Sequence, residues 1–288
     1  MSVRRPALGV ALMIGAGLAW STGGLFVRSV SITDGWEIVF WRSLFMVPCL
    51  ATALAVFNRG DVVGPVRSVG RAGWLAGALL TVQFFSFLLA VTRTTVAETL
   101  VIMSMSPFVA ALFGWALLRE PVRRRTWVAM AVGVSGITVM FAGALGTGAA
   151  IGNLIALGVP LAFAAQVVVL RRYGGEIDML PTVMIAGMIS VVLALPLAWP
   201  LEASARDIVV LAFMGAFQLA LGCALMTIAV RHLAAAEIGV FALLETILGP
   251  IWVWIGIGEQ PSNLALLGAG IVVGALAVNA ALGARERT

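Results

Sequence analysis

Charged residues are scarce in this chain of 288 amino acids, where they make up 11% of the sequence and include no lysine. Hydrophobic residues make up 61% of it, and the mean hydropathy is +1.08. A soluble domain of this size needs many more charges on its surface, so the composition excludes one. The apolar stretches are long and continuous rather than short and alternating, which favours membrane-spanning helices over membrane-spanning strands.

Cysteine, histidine and nucleotide-binding motifs are equally scarce. Cys49 and Cys223 both lie inside apolar runs, which excludes a disulfide framework. His232 is the single histidine, so we expect no metal site and no cofactor. No G-x-x-x-x-G-K-[ST] motif occurs, and no nucleotide-binding loop is therefore predicted. The net charge of +5 comes from arginines in short loops, where it orients a membrane protein and does not indicate nucleic-acid binding.

Ten apolar runs are long enough to cross a bilayer as helices, because about 20 residues at about 1.5 Å each match a hydrocarbon core of about 30 Å. The connections between them are short, and none could hold a soluble domain. The sequence therefore predicts an all-α polytopic membrane protein with ten transmembrane helices, numbered 1 to 10 in chain order. They are expected near residues 7–27, 37–56, 73–92, 98–118, 126–144, 152–170, 181–199, 208–230, 237–257 and 264–282.

The arginines are unevenly distributed between the two sides of these ten predicted helices. Fourteen of the 18 lie at the termini or in the loops after even-numbered helices, and three lie in the opposite loops. Cytoplasmic loops of membrane proteins carry the excess of positive charge. The distribution predicts that both termini are cytoplasmic, and we expect the chain in the inner (plasma) membrane of a bacterium.

The second half of the chain weakly repeats the first. Four landmarks return in the same order: Trp20 as Phe163, Arg28 as Arg171, Glu98 as Glu237, and Glu120 as Glu259. Each half contains five predicted helices, an odd number, so the second half must cross the membrane in the opposite direction. We therefore expect two inverted five-helix repeats, residues 1–145 and 146–288, which form one membrane domain with a binding site near the midplane where they meet.

These landmarks carry a family resemblance. Ten helices in two halves, an aromatic residue in the middle of the first helix of each half, and apolar helices ending in Glu-Pro or Glu-x-Pro resemble the drug/metabolite transporter superfamily. Within it, the chain is similar to the EamA-type exporters and most similar to the YddG-type aromatic amino-acid exporters, over about residues 8–282. Related chains often carry Glu-Pro inside helix 9, whereas here Glu245-Thr246 is followed by Pro250, which would place the kink about one turn later.

Four polar side chains are predicted to lie deep in the membrane, where such groups usually face a partner or a water-filled cavity. Glu245 could bind a substrate ammonium group or carry a coupling proton, or it could be a protonated carboxyl bonded to a neighbouring helix. Gln83, Gln166 and Gln218 suit a zwitterionic ligand because an amide both donates and accepts, but interhelical hydrogen bonds explain them equally well. All four are candidate substrate-binding residues.

Apolar residues at similar depth could line the same pocket. Its candidate aromatic wall consists of Trp20, Phe84, Phe163 and Trp252. Met103 joins them because a flexible methionine adapts to several ligands, although core packing is the commoner role. Proline interrupts the helical hydrogen bonds, so the candidate hinges are Pro107, Pro160 and Pro250. The serines on either side of Met105 could satisfy the carbonyl groups freed near Pro107.

Three further charged residues lie inside or at the ends of predicted helices. Arg42, inside helix 2, could extend its side chain to the membrane surface or could bind a substrate carboxylate. Its isolation argues against phosphorylated substrates, which need several basic residues in the cavity. Glu120 ends helix 4 and could pair with Arg123 or Arg124, whereas Glu259 ends helix 9 with no basic neighbour in its own loop.

Two small-residue motifs bear on assembly. Gly73-x-x-x-Gly77 and Gly270-x-x-x-Gly274 permit close contact between helices. We expect both motifs to pack within one chain before any dimer forms, which favours a monomer.

The features together predict a secondary transporter that exports amino acids, aromatic and other neutral ones, by alternating access. Its central cavity would be lined by helices 1, 3, 4, 6, 8 and 9. A multidrug exporter of lipophilic cations with the same fold is the alternative. An intramembrane enzyme would need paired acids, a histidine cluster or a metal site, none of which the sequence offers, and a structural scaffold would not need an intramembrane carboxylate. The expected partners are a small-molecule substrate and the lipid bilayer.

Overall fold

The computed structural model describes residues 6–145, 148–173, 178–229, 232 and 235–285, with the backbone alone at 6, 235–243, 284 and 285. All ten predicted helices are present, and these ranges contain no strand. A short additional helix, Val63–Ser68, lies in the loop after helix 2. Helices 1 to 10 consist, in order, of Pro6–Ser21 with Gly23–Ser29; Gly35–Phe57; Gly70–Val91; Val96–Ser104 with Ser106–Leu118; Arg124–Ala144; Ala149–Ala156 with Gly158–Tyr173; Met179–Ala198; Ala205–Phe213 with Met214–Leu221 and Gly222–Ala229; Ala235–Ile257; and Asn263–Arg285.

The length and composition of these helices confirm a polytopic membrane protein. Among the described residues, nine helices are long and apolar enough to cross a membrane, and Leu244–Ile257 within helix 9 is a tenth, shorter apolar helix. Many large apolar side chains are exposed on the outside of the bundle, including Val56, Trp199 and Ile255. Such a surface is stable only against lipid, because in water it would cause aggregation.

Polar side chains define where several helices begin. Asp34 accepts a hydrogen bond from the backbone N–H of Trp36 at the start of helix 2. Thr95 does the same for Glu98 at the start of helix 4, and Ser204 forms a capping box with Asp207 at the start of helix 8. Each side chain satisfies an N–H group that has no partner inside its own helix.

Several helices are interrupted inside the membrane. Helix 4 breaks at Met105, two residues before Pro107, and the hydroxyl groups of Ser104 and Ser106 donate to the carbonyls of Val101 and Met103 at 2.6 and 2.5 Å. The predicted role of these serines is thereby confirmed.

The other helix breaks are less closely tied to the positions of prolines. Helix 6 breaks at Leu157, three residues before Pro160, and helix 1 breaks at Thr22 without any proline. Helix 9 continues through Pro250. Helix 8 contains a π-helical segment, Met214–Leu221, a rare geometry that is frequent at functional sites.

The packing of the helices is the same when the two halves are exchanged. Helix 2 packs on helix 7, and helix 5 packs on helix 10. Helix 3 packs on helices 6 and 7, just as helix 8 packs on helices 1 and 2. Helix 4 packs on helix 6, just as helix 9 packs on helix 1. The contacts that close the bundle therefore run between the halves.

Glycine allows some of these close contacts, but not at every predicted position. A Cβ atom at Gly77 would collide with Ile185, and one at Gly136 would collide with the carbonyl of Gly268. The prediction that Gly270 and Gly274 pack within the chain is wrong, because a Cβ atom at either would meet open space. They line an outward-facing apolar groove of about 500 Å³ between helices 5 and 10.

Candidate functional site

Trp20 and Gln218 join the middle of helix 1 to the middle of helix 8. The amide nitrogen of Gln218 donates to the backbone carbonyl of Trp20 at 3.2 Å. The indole lies against the bare backbone of Gly222, and the Gln218 amide lies against Gly23, so a larger residue at either glycine would displace the side chain that it meets. The indole N–H of Trp20 and the amide oxygen of Gln218 are buried without a hydrogen-bond partner. Polar atoms left in this state are costly, which marks this contact as a candidate binding position.

Gln83 and Gln166 form a second polar contact, between helices 3 and 6. The amide nitrogen of Gln83 donates to the side-chain oxygen of Gln166 at 2.9 Å, and the amide nitrogen of Gln166 donates to the carbonyl of Ala76 at 3.2 Å. Gln166 is buried, and Gln83 is half-buried. The interhelical role that the sequence allowed is therefore filled, and Gln83 is the member of the pair that a ligand could reach.

Glu245 is a half-buried carboxylic acid near the middle of helix 9. Among the described residues, no hydrogen bond or ion pair reaches its carboxyl group. Its helix is joined to helix 1 by Trp252, whose indole N–H donates to the Ser21 hydroxyl at 2.9 Å, while Gly249 lies against Leu100 of helix 4. Trp252 therefore positions helix 9 beside the centre of helix 1, and the carboxyl of Glu245 stays available.

Arg42 is a buried cation in helix 2. It is 2% exposed, which contradicts the interpretation that its side chain extends to the membrane surface. Its guanidinium carbon lies 4.7 Å from the centroid of the Phe84 ring, a cation–π contact. Nε and Nη2 are buried without a hydrogen-bond partner. The contact with Phe84 has no signal in the sequence, because it joins two helices of the first half through side chains far apart in the chain.

The other candidate site residues are distributed around this region. Phe163 in helix 6 and Met103 in helix 4 are half-buried, and Met103 packs against a core shared by helices 1, 2, 3, 4, 7, 8 and 9. Of the candidate hinges, Pro107 is exposed and Pro250 is half-buried, whereas Pro160 is buried. Among the described residues, no group of three or more acidic, histidine or cysteine side chains could hold a metal ion.

A network around Glu259 closes one end of the bundle, here called the Glu259 end. Arg28 Nε lies 2.8 Å from Glu259 Oε2, and Arg28 Nη2 donates to the carbonyl of Thr94 at 2.7 Å. The backbone N–H of Val96, in the first turn of helix 4, donates to Glu259 Oε1 at 2.8 Å. A carboxylate at this position also faces the positive end of the helix dipole. Glu259, unexplained by sequence, thus joins helices 1, 4 and 9.

Helix 6 is attached to the same end by buried side chains. The Thr94 hydroxyl lies 2.7 Å from both Glu98 Oε2 and Asn153 Oδ1. Gly152 lies against the backbone of residues 93 and 94, where a Cβ atom would collide. Helices 1, 4, 6 and 9 therefore meet in one continuous network at the Glu259 end.

One ion pair links helices 4 and 6 at the opposite end, here called the Glu120 end. Arg171, in the last turn of helix 6, donates to the Glu120 carboxylate. The expected pairing of Glu120 with Arg123 or Arg124 is thus replaced by a contact between the two halves. Gly114 lies next to the Glu120 carboxylate and leaves room for it.

Both glutamates are placed by the same backbone geometry. Arg119 and Gly258, the residues before them, have φ values of 59° and 71°, in the left-handed region. Such a residue ends a helix and turns the following one back toward it. The backbone N–H of Glu120 accordingly donates to the carbonyl of Gly114 at 3.1 Å. At the ends of helices 4 and 9, the Glu-Pro and Glu-x-Pro motifs therefore direct a carboxylate toward a helix of the other half.

A sequence model of the EamA-like transporter family matches the chain twice, over residues 7–142 and 150–281. The chain belongs to the EamA-like transporter family. Its fold also resembles a solved crystal structure at a TM-score of 0.66 and 16% identity, covering 95% of this chain and 97% of the other.

Two curated relatives of this EamA-like transporter align over nearly all of the chain. Human solute carrier family 35 member G1 is 26% identical over 298 residues, which cover 93% of this chain and 77% of that protein. The pseudopaline exporter CntI of Pseudomonas aeruginosa is 25% identical over 274 residues, which cover 92% of this chain and 93% of that protein. The predicted membership of the drug/metabolite transporter superfamily is confirmed, and the chain is a multi-pass membrane transporter.

Proposed function

We propose that this EamA-like transporter is a secondary transporter that exports amino acids, aromatic and other neutral ones, by alternating access. The observation that carries the proposal is the carboxyl group of Glu245, which has no partner among the described residues near the middle of the bundle. The indole N–H of Trp20 and the amide oxygen of Gln218 lie at similar depth, also without partners. A substrate with an ammonium group and polar atoms would satisfy all three.

The surroundings of these groups suit an apolar or aromatic side chain. Trp20, Phe163 and Met103 are half-buried on three different helices, and so is Phe84 beneath Arg42. Aromatic rings bind other rings by stacking or edge contacts, and methionine adapts to different shapes. The pocket we propose is therefore selective for charge and tolerant of side-chain shape.

Alternating access is supported by the arrangement of the two halves. The family model matches each half once, and the helix contacts are the same when the halves are exchanged. We propose that residues 1–145 and 146–288 are inverted repeats that move against each other, with Pro107, Pro160 and Pro250 as hinges. With both termini in the cytoplasm of a bacterium, the Glu120 end faces the cytoplasm and the Glu259 end faces outward.

Export is supported by the naming of the relative CntI as an exporter. The second candidate function is export of lipophilic cations, which the unpartnered carboxyl of Glu245 and the aromatic side chains also favour. Both functions use the same cavity and differ in whether the substrate carries a carboxylate.

Uptake into proteoliposomes tests the proposal. Labelled tryptophan would be offered to wild type, Glu245→Gln and Trp20→Ala, with unlabelled amino acids or a lipophilic cation drug as competitors. We expect saturable uptake that amino acids suppress and that both substitutions reduce. Suppression by the cation alone would assign the chain to drug export instead.

The energy source is tested in the same vesicles. We propose that a gradient drives transport, with Glu245 as the candidate proton carrier. We expect an imposed pH gradient to accelerate uptake in wild type and to have no effect in Glu245→Gln. Wild-type transport that ignores the gradient would exclude proton coupling.

A further inference from the structure

We propose that Arg42 is the carboxylate subsite of the transported molecule and that Glu245 is its ammonium subsite. The substrate would then be a zwitterion held between helices 2 and 9. This inference rests on the proposed function and makes it narrower, because a lipophilic cation would need Glu245 alone.

Arg42 has no counter-ion among the described residues. The guanidinium group is almost fully buried inside a membrane-spanning helix, and two of its three nitrogens make no hydrogen bond. The face of Phe84 offsets part of the cost of burying the charge. The ring does not, however, accept the hydrogen bonds that the guanidinium N–H groups donate in their own plane. A buried guanidinium normally pairs with a carboxylate through two parallel hydrogen bonds. The donors for such a pair are present here without the acceptor.

Arg42 is connected to the contact between Trp20 of helix 1 and Gln218 of helix 8. The backbone carbonyl of Arg42 lies against Gly215 in the π-helical segment of helix 8, where any side chain would collide with it. Gln218 follows within the same segment, and its amide bonds to Trp20. The π-helical segment therefore joins the arginine to the unpartnered polar atoms of Trp20 and Gln218.

Arg42 and Glu245 do not pair with each other. The guanidinium group and an ionised Glu245 carboxylate would carry opposite charges, and no ion pair is formed between them or with another described side chain. If these two residues only stabilised the fold, they would form an ion pair with each other, because an unpaired charge inside a membrane is strongly destabilising. An α-amino acid carries both complementary groups on one carbon atom, a carboxylate for Arg42 and an ammonium group for Glu245.

The test compares tryptophan with tryptamine, which has the same ring and ammonium group but no carboxylate. Uptake of both labelled compounds would be measured in proteoliposomes with wild type, Arg42→Gln and Arg42→Lys. Ser43→Ala is the matched control, because Ser43 neighbours Arg42 in the same helix and its buried hydroxyl bonds to nothing.

We expect Arg42→Gln to raise the KM for tryptophan by about tenfold or more, since a charge-assisted pair is lost, and to leave the KM for tryptamine unchanged. Arg42→Lys should keep part of the preference for tryptophan, and it provides the same comparison if the glutamine variant does not fold. Equal losses for both compounds, or no loss for either, would overturn the inference. Absence of tryptophan uptake in wild type would instead reject the proposed function.

A second inference comes from the two ends of the bundle. The geometry points to Arg28–Glu259 and Arg171–Glu120 as equivalent latches that open in turn. Each arginine occupies the same position in its repeat, each glutamate does too, and each glutamate follows a residue in the left-handed region. Each pair joins the first helix of one half to the fourth helix of the other half.

This arrangement links each latch to one exit of the cavity. Separation of helices 1 and 9 at the Glu259 end requires the first pair to break, and separation of helices 4 and 6 at the Glu120 end requires the second. Because the halves are related by exchange, a movement that opens one end closes the other. A substitution in one latch should therefore shift access toward its own end.

Cysteine labelling distinguishes a latch from a merely structural pair. Leu25 lies one turn before Arg28 and packs on Gly256, beneath the Glu259 end. The reporter Leu25→Cys would be placed in a chain whose Cys49 and Cys223 are replaced by alanine. A membrane-impermeant maleimide would then be added from the side that the Glu259 end faces.

We expect Glu259→Gln to raise the labelling rate of the reporter by about tenfold, because it removes two charge-assisted contacts. Glu120→Gln should lower the rate or leave it unchanged. An increase of the same size in both variants would show general loosening and would overturn the inference. An unchanged rate in Glu259→Gln would do so as well.

Discussion

The two ends of the helix bundle are closed by equivalent residues to different degrees. The side chains of Arg28 and Glu259 are 28% and 19% exposed, whereas those of Arg171 and Glu120 are 54% and 42% exposed. The Glu259 pair also bonds to backbone groups of residues 94 and 96, and the Glu120 pair is a single contact. Water competes strongly with an exposed pair, so the Glu259 end is the more firmly closed of the two.

The Glu-Pro or Glu-x-Pro ending of a helix therefore has different effects in different surroundings. Glu259 meets the first turn of helix 4, where an N–H group has no partner inside its helix. Glu120 meets a solvent-accessible arginine at the end of helix 6. Under the proposed orientation, this state is closed to the outside and held only weakly toward the cytoplasm. It is therefore the state that would receive a substrate for export.

The largest effect is expected from Glu259→Gln. The substitution removes the charge from one ion pair and one hydrogen bond and leaves Arg28 partly buried without its counter-ion, so we expect a loss of about 2 kcal/mol in the free energy of unfolding. Thermal unfolding of the purified protein in detergent measures it. A melting temperature equal to that of Glu120→Gln would contradict the difference between the two ends.

The next effect is expected from Thr94→Val. The hydroxyl of Thr94 connects Glu98 and Asn153 in a buried network, whereas its carbonyl, which accepts from Arg28, is unaffected by the substitution. We expect a loss of about 1.5 kcal/mol, because removal of the hydroxyl leaves a buried polar side chain without its hydrogen-bond partner. The same melting experiment measures it, with Thr138→Val as control because the Thr138 hydroxyl is exposed and bonds within its own helix. Similar shifts for the two valine variants would contradict the proposed network.

The sequence alone predicts the helices and their order, because long apolar runs between arginine-rich loops allow few alternatives. It also predicts the break near Pro107, where proline and its flanking serines act locally. The repeat predicts that Arg28 corresponds to Arg171 and Glu120 to Glu259. It does not reveal that each arginine pairs with the glutamate of the opposite half, since a partner is set by how the halves dock.

The candidate site, like the fold, can be predicted only in part from the sequence. The depth of Glu245 follows from its place in an apolar run, but its lack of a partner depends on the packing of helix 9 against helix 1. The contact of Arg42 with Phe84 and the π-helical segment of helix 8 depend on side chains from separate helices and have no local signal. Gly270 and Gly274 form the same motif as Gly73 and Gly77 yet face outward, because the motif permits contact without specifying a partner.

A smaller effect is expected from Glu120→Gln. Because both partners are exposed, we expect a loss below about 1 kcal/mol that salt at about 1 M removes. Melting temperatures of wild type and variant at low and high salt measure it, and the loss at Glu259 should persist in salt because that pair is partly buried. A salt-resistant loss at Glu120 would indicate that the Glu120 end is closed as firmly as the other.

The smallest effect is expected from Arg119→Gly, and it should be stabilising. Arg119 pays a steric cost in the left-handed region that glycine avoids, but glycine loses more backbone entropy on folding, so the expected net gain is about 0.5 kcal/mol. Gly258→Ala is the mirror experiment, because a Cβ atom there meets open space and only the backbone conformation opposes it. We expect it to destabilise by about 1 kcal/mol. A gain in stability for Arg119→Gly and a loss for Gly258→Ala would show that the same left-handed turn precedes the glutamate at both ends. The difference in closure would then arise from what each glutamate contacts.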